Sequence, residues 1–218
     1  MKRARSRASL QRGKPRRAPQ KPLGERFEKA LVYAARLHAT QLQKGSRRPY
    51  VGHLLGVASL VIRYGGDEDQ AIAALLHDAV EDQGGLPTLR AIRRKFGAHV
   101  ADIVAGCSDS FTTPKPPWRQ RKENYIAHVR HAPAGVRLVS AADKLDNART
   151  ILADLRHIGD RVWSRFKGRK DGTLWYYREI LRAFEEAGTD PLVEELGRAV
   201  AEMHRLAGQK AKGAREGR

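Results

Sequence analysis

Residues 67–85 read DEDQAIAALLHDAVEDQGG, and the reading of this stretch decides the fold. Asp67 is a helix N-cap residue, and its carboxylate is suited to the free N–H groups of a first turn. Ala71, Ile72, Ala74, Leu75, Ala79 and Val80 supply an apolar face at helical steps. The Gly84-Gly85 pair is the expected stop, so the spacing predicts a helix over 68–82. On such a helix His77 lies one turn from Glu81, and Asp78 one turn from Asp82. All four then form a polar strip on an otherwise apolar rod. Carboxylates gathered beside apolar surface repel one another and are costly to bury without a counter-charge. A divalent cation would supply that charge.

The same periodicity recurs on both sides. Helices are expected over 25–42, 53–64, 88–97, 98–107, 119–131, 135–157, 174–187 and 191–207. Residues 108–118 (SDSFTTPKPPW) read as a loop from their Pro, Ser and Thr content, and 164–173 (SRFKGRKDGT) as a polar connection. Hairpin signals and internal repeats are absent, so the fold class is all-α. RLVSAAD at 137–143 resembles a strand in isolation, but its flanks make it helical. Two further helices turn polar groups towards apolar surroundings: His53 opens one, and Asp143 and Asn147 stand one turn apart on another, with Asp146 beside them. Taken singly, each has an ordinary reading as a satisfied core histidine, a helix cap or a solvated acid. Taken together, two His and two Asp form a mixed nitrogen/oxygen ligand set that suits Mn²⁺ or a similar ion with open positions for water.

The chain carries 42 Lys+Arg against 24 Asp+Glu, but the excess is uneven. Residues 1–22 hold nine basic residues and no acid, and 205–218 hold five against one Glu, which leaves about +5 on 23–204. The expected organisation is a disordered basic tail over 1–22, one helical domain over 23–207 and a second basic tail over 208–218. The tails suit weak nucleic-acid contact. A run of about 18 apolar residues is absent, which argues against a membrane span. Cys107 is the sole cysteine, and together with an N-terminus that has no apolar signal region it points to a cytoplasmic setting.

His53, His77-Asp78 and Asp143 match the H…HD…D signature of HD-domain metal-dependent phosphohydrolases. The chain further resembles the RelA/SpoT type of hydrolase domain in the segment His38-x-x-Gln41-x-x-Lys44-Gly-Ser-Arg-Arg-Pro-Tyr-x-x-His53. Leu75-Leu76-His77-Asp78-Ala79-Val80-Glu81-Asp82, Lys95-Phe96-Gly97-x-x-Val100 and Ala142-Asp143-Lys144-Leu145-x-Asn147-x-Arg149-Thr150 continue the likeness, which spans about residues 26–187. The chain departs from the family pattern at Lys44-Gly45, where two basic residues are usual, and at Lys144-Leu145-Asp146-Asn147. It is similar to a stand-alone small alarmone hydrolase. That resemblance implies an all-helical HD fold and Mn²⁺-dependent removal of the 3′-pyrophosphate from (p)ppGpp or (p)ppApp. By motif position His53, His77, Asp78 and Asp143 would be the metal ligands, and Glu81 and Asp82 the catalytic acids. Lys44, Ser46, Asn147 and Tyr176 would bind substrate. The alternatives are an HD phosphohydrolase acting on another nucleotide or NADPH, and a basic nucleic-acid-binding helical protein. Lys115, Arg119, Arg121 and Lys122 follow the proline-rich loop and are candidates for a phosphate funnel.

Overall fold

The computed structural model describes residues 22–112 and 114–213, with 209–213 as backbone only. Its helices are α1 (Glu25–Leu37), α2 (Val51–Arg63), α3 (Glu68–Leu76), α4 (Ala79–Asp82), α5 (Gly85–Phe96), α6 (Ala98–Cys107), α7 (Trp118–His131), α8 (Ala134–Ile158), α9 (Arg169–Ala187) and α10 (Pro191–Gly213). A 3₁₀ helix, Gly159–Arg165, links α8 to α9. Among the described residues there is no β-strand, only one isolated bridge between Leu42 and Pro49. The all-α expectation holds, and the tail over 1–21 lies outside the described residues. α10 extends six residues beyond the expected end at 207, into the segment read as the second basic tail.

The 25-residue α8 is the axis of the molecule and runs about 38 Å. It packs against α2, α3, α6, α10 and the 3₁₀ helix. A helix surrounded in this way has apolar residues on several faces, and Val136, Val139, Leu145, Ile151 and Leu155 are all buried. α10 shows the one-sided pattern instead: Leu192, Leu196, Val200, Met203 and Ala207 recur at steps of three and four and are buried against α8 and α9.

Besides the longer α10 and an α5 that starts at Gly85 rather than 88, three boundaries depart from the sequence expectation. α1 stops at Leu37 rather than 42, because His38 turns inward (2% exposed) and its Nδ1 bonds Gln41 Oε1 at 2.7 Å. The 68–82 helix starts as expected, with a reciprocal cap between Asp67 and Gln70, but it breaks at His77-Asp78. Asp78 has ψ −2° and α4 restarts at Ala79, so the one-turn pairing of His77 with Glu81 is not that of a continuous helix. α9 begins at Arg169 rather than 174, so the polar connection is largely helical. Gly84 (φ 115°) and Gly85 (φ 63°) end α4 in the left-handed region, as their sequence suggested.

Candidate metal centre and substrate cleft

The break between α3 and α4 decides the site. It turns the Asp78 side chain towards the His77 ring instead of along a helix surface. His77 Nε2 lies 3.1 Å from Asp78 Oδ2 and 3.6 Å from Asp143 Oδ1. His53 Nε2, from the first turn of α2, lies 3.3 Å from Asp143 Oδ1 and 3.8 Å from Asp78 Oδ2. The ligand atoms of His53, His77 and Asp143 all fall within 4.8 Å of one another.

The ring orientations are fixed from behind. His77 Nδ1 donates to Ala74 O at 2.8 Å, and His53 Nδ1 donates to Asp146 Oδ2 at 2.7 Å. Both acceptors place a proton on Nδ1 and leave Nε2 to face the cluster. Neither Nε2 atom has an aligned hydrogen-bond partner although both are buried. Two orphaned imidazole nitrogens facing two carboxylates are the donor set that a divalent transition ion takes. A cation therefore fits here, with Asp146 holding the His53 ring from behind. Gly56 on α2 makes room for it, since a Cβ there would lie 2.3 Å from Asp146 Oδ1.

Electrostatics point the same way. Burial opposes charge on every member, yet the Asp143 and Asp146 carboxylates hold His53 at about 9. Burial works against His77 as well, and Asp78 and Asp143 outweigh it and raise it. Asp78 is held low against burial by His77, and Asp143 by Lys144 and the two histidines. The carboxylates thus demand positive charge, and a metal ion binding here would displace protons from the imidazoles. Tyr50 donates its hydroxyl to Asp78 Oδ2, and Asn147 donates to Asp143 Oδ1.

Above this cluster lies a cleft of about 550 Å³, lined by Lys44, Tyr50, His53, Asp78, Glu81, Asp82, Asp143, Asn147 and Tyr176 among others. Glu81 Oε1 accepts the Asp109 amide at 2.7 Å, and Lys115 Nζ reaches Oε2 at 3.2 Å. Burial, then the negative charges of Asp109 and Asp78, push Glu81 above the usual carboxylate range. Asp82 Oδ2 accepts from Gln41 Nε2 at 2.8 Å, which ties the 38–50 loop to α4. Ser46 stays in that loop: its hydroxyl donates to Gln43 O at 3.2 Å and accepts the Arg48 amide at 3.3 Å. Gly45 has φ 67°, and Arg165 packs so closely over it that a Cβ would meet Arg165 Cδ at 2.5 Å. Arg165 shares Asp154 with Arg48, so both guanidinium groups stand at the cleft. Of the funnel candidates, Lys115, Arg121 and Lys122 line the cleft, whereas Arg119 stacks over Trp175 at 3.3 Å.

Sequence reasoning did not assign Tyr50, Asp146, Asp109 or Arg165 to the site. Asp146 carried a signal, since it stands one turn from Asp143 with an unmatched charge in an apolar helix. Arg165 carried none, because it pairs with Asp154 eleven residues away, beyond the reach of one helical turn, and packs over the side-chain-free backbone of Gly45.

Residues 30–174 match the family model of the HD domain. The chain is 38% identical over 168 residues to a Xenopus tropicalis protein named guanosine-3′,5′-bis(diphosphate) 3′-pyrophosphohydrolase MESH1, covering 76% of this chain and 87% of that one. The Homo sapiens protein of the same name is 36% identical over 141 residues, 63% of this chain and 74% of the relative. A solved structure from Listeria monocytogenes superposes with a TM-score of 0.61 at 37% identity, over 68% of this chain and 96% of that one. A metazoan orthologue of SpoT, described as hydrolysing ppGpp, has a TM-score of 0.67 over 87% of this chain and 98% of that one. At 24% identity that likeness concerns the fold. With the family match spanning most of the chain and its paired histidines and aspartates gathered at one cleft, the protein belongs to the HD-domain family.

Proposed function

We propose that this protein is a Mn²⁺-dependent hydrolase that removes the 3′-pyrophosphate of guanosine or adenosine alarmones, taking (p)ppGpp to GDP or GTP and pyrophosphate. The observation that carries the reading is the pair of orphaned Nε2 atoms, on His53 and His77, facing Asp78 and Asp143 at the floor of a cleft walled by basic side chains. The 3′-pyrophosphohydrolase names of relatives at 36–38% identity support it.

In this reading His53, His77, Asp78 and Asp143 hold the metal, and Glu81 and Asp82 handle the protons. When bound, the ion supplies charge neutralisation for the phosphates and a more acidic water. Glu81 has a raised affinity for a proton and sits against the Asp109 amide, so it is placed to accept and return one. Asp82 lies beside it with its carboxylate steadied by Gln41. Lys44, Ser46, Asn147 and Tyr176 serve the nucleotide: Lys44, Asn147 and Tyr176 from the cleft wall, Ser46 by bracing the loop that carries Lys44. The surplus of Lys and Arg at the cleft draws a polyanion inward. Among the described residues no helix is long and apolar enough to cross a membrane, and a cytoplasmic nucleotide pool is part of the proposal.

The test is a product assay. The protein is incubated with GDP 3′-diphosphate, its adenosine counterpart and NADPH at fixed free Mn²⁺, and products are resolved by anion exchange. Release of pyrophosphate from the 3′-diphosphates, lost with a chelator and in Asp78→Ala, is expected. Cleavage of NADPH alone, or turnover unaffected by the chelator, would overturn the reading.

A further inference from the structure

One wall of the cleft holds charge that neither the metal ligands nor the proton-handling acids use. Asp109 opens the 108–117 loop with its side chain only 3% exposed, and it binds two cations: the Arg121 guanidinium and Lys122 Nζ, the latter at 2.9 Å. One carboxylate against two cations leaves a surplus positive charge in a nearly closed wall. Lys122 is aimed from α7 across the ring of Tyr176, with Nζ 4.8 Å from the ring centroid. Lys144, paired with the metal-site Asp143, approaches the same ring at 6.0 Å. Two ammonium groups therefore meet beside the metal centre. Between them the Tyr176 residue is 6% exposed, lines the cleft, and its hydroxyl has no hydrogen-bond partner. A buried hydroxyl without a partner is an exception that calls for a ligand. Two lysines and a phenol converging on one place form a site for phosphate oxygens.

We propose that Lys122, tethered by Asp109, and the Tyr176 hydroxyl bind the pyrophosphoryl group in transit and retain inorganic pyrophosphate as product. The inference rests on the proposed function and deepens it. In the reaction a water oxygen forms a bond to the 3′-phosphorus while the bond from that phosphorus to the ribose 3′-oxygen breaks. A water proton passes to the Glu81–Asp82 pair, and a proton is returned to the ribose oxygen, so the products are a 3′-hydroxyl and pyrophosphate. The pyrophosphoryl group keeps its negative charges throughout, and Lys122 is the cation in the cleft wall that meets them. Asp109 is a positioning residue, since it acts by holding Lys122.

The experiment uses the full chain loaded with Mn²⁺ and variants Lys122→Met, Lys122→Arg and Tyr176→Phe. Hydrolysis of GDP 3′-diphosphate is measured with and without inorganic pyrophosphate at constant free Mn²⁺. Pyrophosphate binding is followed separately by the fluorescence of Trp118 and Trp175, whose rings lie 6.5 Å from that of Tyr176. Lys122→Met should lower kcat roughly 100-fold or more and weaken pyrophosphate binding and inhibition, with Mn²⁺ affinity unchanged; Lys122→Arg should recover part of both. Tyr176→Phe removes a hydroxyl without a protein partner, so it should fold normally and weaken pyrophosphate binding. If Lys122→Met fails to fold, Tyr176→Phe decides. Unchanged pyrophosphate binding in the folded variants overturns the inference whether or not the alarmone is a substrate. Absence of hydrolysis by the wild type, with pyrophosphate binding intact and Lys122-dependent, would instead overturn the function proposed above.

Discussion

Gly56→Ala is a conservative change on a helix face, and helix propensity alone would make it stabilising by about 1 kcal/mol. The structure reverses the sign at the metal centre. The new Cβ would lie 2.3 Å from Asp146 Oδ1 and 2.9 Å from its Cγ, far inside contact distance. Asp146 has only two side-chain torsions, so it must swing away and release His53 Nδ1, which it now holds at 2.7 Å. A hydrogen bond to a charged group contributes about 1.5–3 kcal/mol. Losing the group that orients a ligand histidine typically costs 10–100-fold in metal affinity. The expected outcome is Mn²⁺ binding weakened by about that factor in calorimetric titration, with metal-free thermal stability changed by no more than about 1–2 kcal/mol. Asp146→Ala should reproduce the loss of affinity without the steric cause. Metal affinity in Gly56→Ala equal to the wild type would refute the role given to Asp146 and the packing between α2 and α8.

Asp109 provides a pH prediction. Burial raises its pKa, but Lys122 and then Arg121 outweigh that and bring it to about 2, from an ordinary 3.8. A depressed pKa stabilises the fold above the unfolded value and loses that stabilisation as pH falls through the folded one. The difference corresponds to about 2 kcal/mol. Urea unfolding should therefore show Asp109→Asn less stable than wild type at pH 6, with the gap narrowing between pH 4 and 2; a constant gap would contradict the pairing. In the core, Leu145 on α8 is fully buried, and Leu145→Ala should cost about 2–5 kcal/mol by chemical denaturation.

The local sequence determined most of the secondary structure. Periodic apolar residues placed α2, α6, α7, α8 and the start of α10 to within a few residues, and the Asp67–Gln70 cap and the Gly84-Gly85 stop lie where their chemistry demands. These are short-range effects: backbone geometry, caps and the face a helix must bury. The candidate-site residues were legible for a related reason, as a set rather than singly. Histidine and aspartate beside long apolar runs conflict with burial unless something compensates them, and His53, His77, Asp78 and Asp143 share that conflict.

What the sequence could not settle were contacts between residues distant along the chain. The break at His77-Asp78 is invisible to a helical pattern that runs through 68–82 unchanged. It shows only in the folded chain, where His77 Nε2 faces Asp78 and, from another helix, Asp143. Asp146 meets His53 across 93 residues, and the close approach depends on the missing side chain of Gly56. Lys122 finds Tyr176 because α7 and α9 pack against each other, and Arg165, at the end of the 3₁₀ helix, lies over Gly45 of the 38–50 loop. Composition and periodicity therefore fixed which residues must be compensated. Only the packing of α2, α3, α7, α8 and α9 decided what compensates them, because side-chain partnership is a matter of distance in space, and local sequence carries no measure of it.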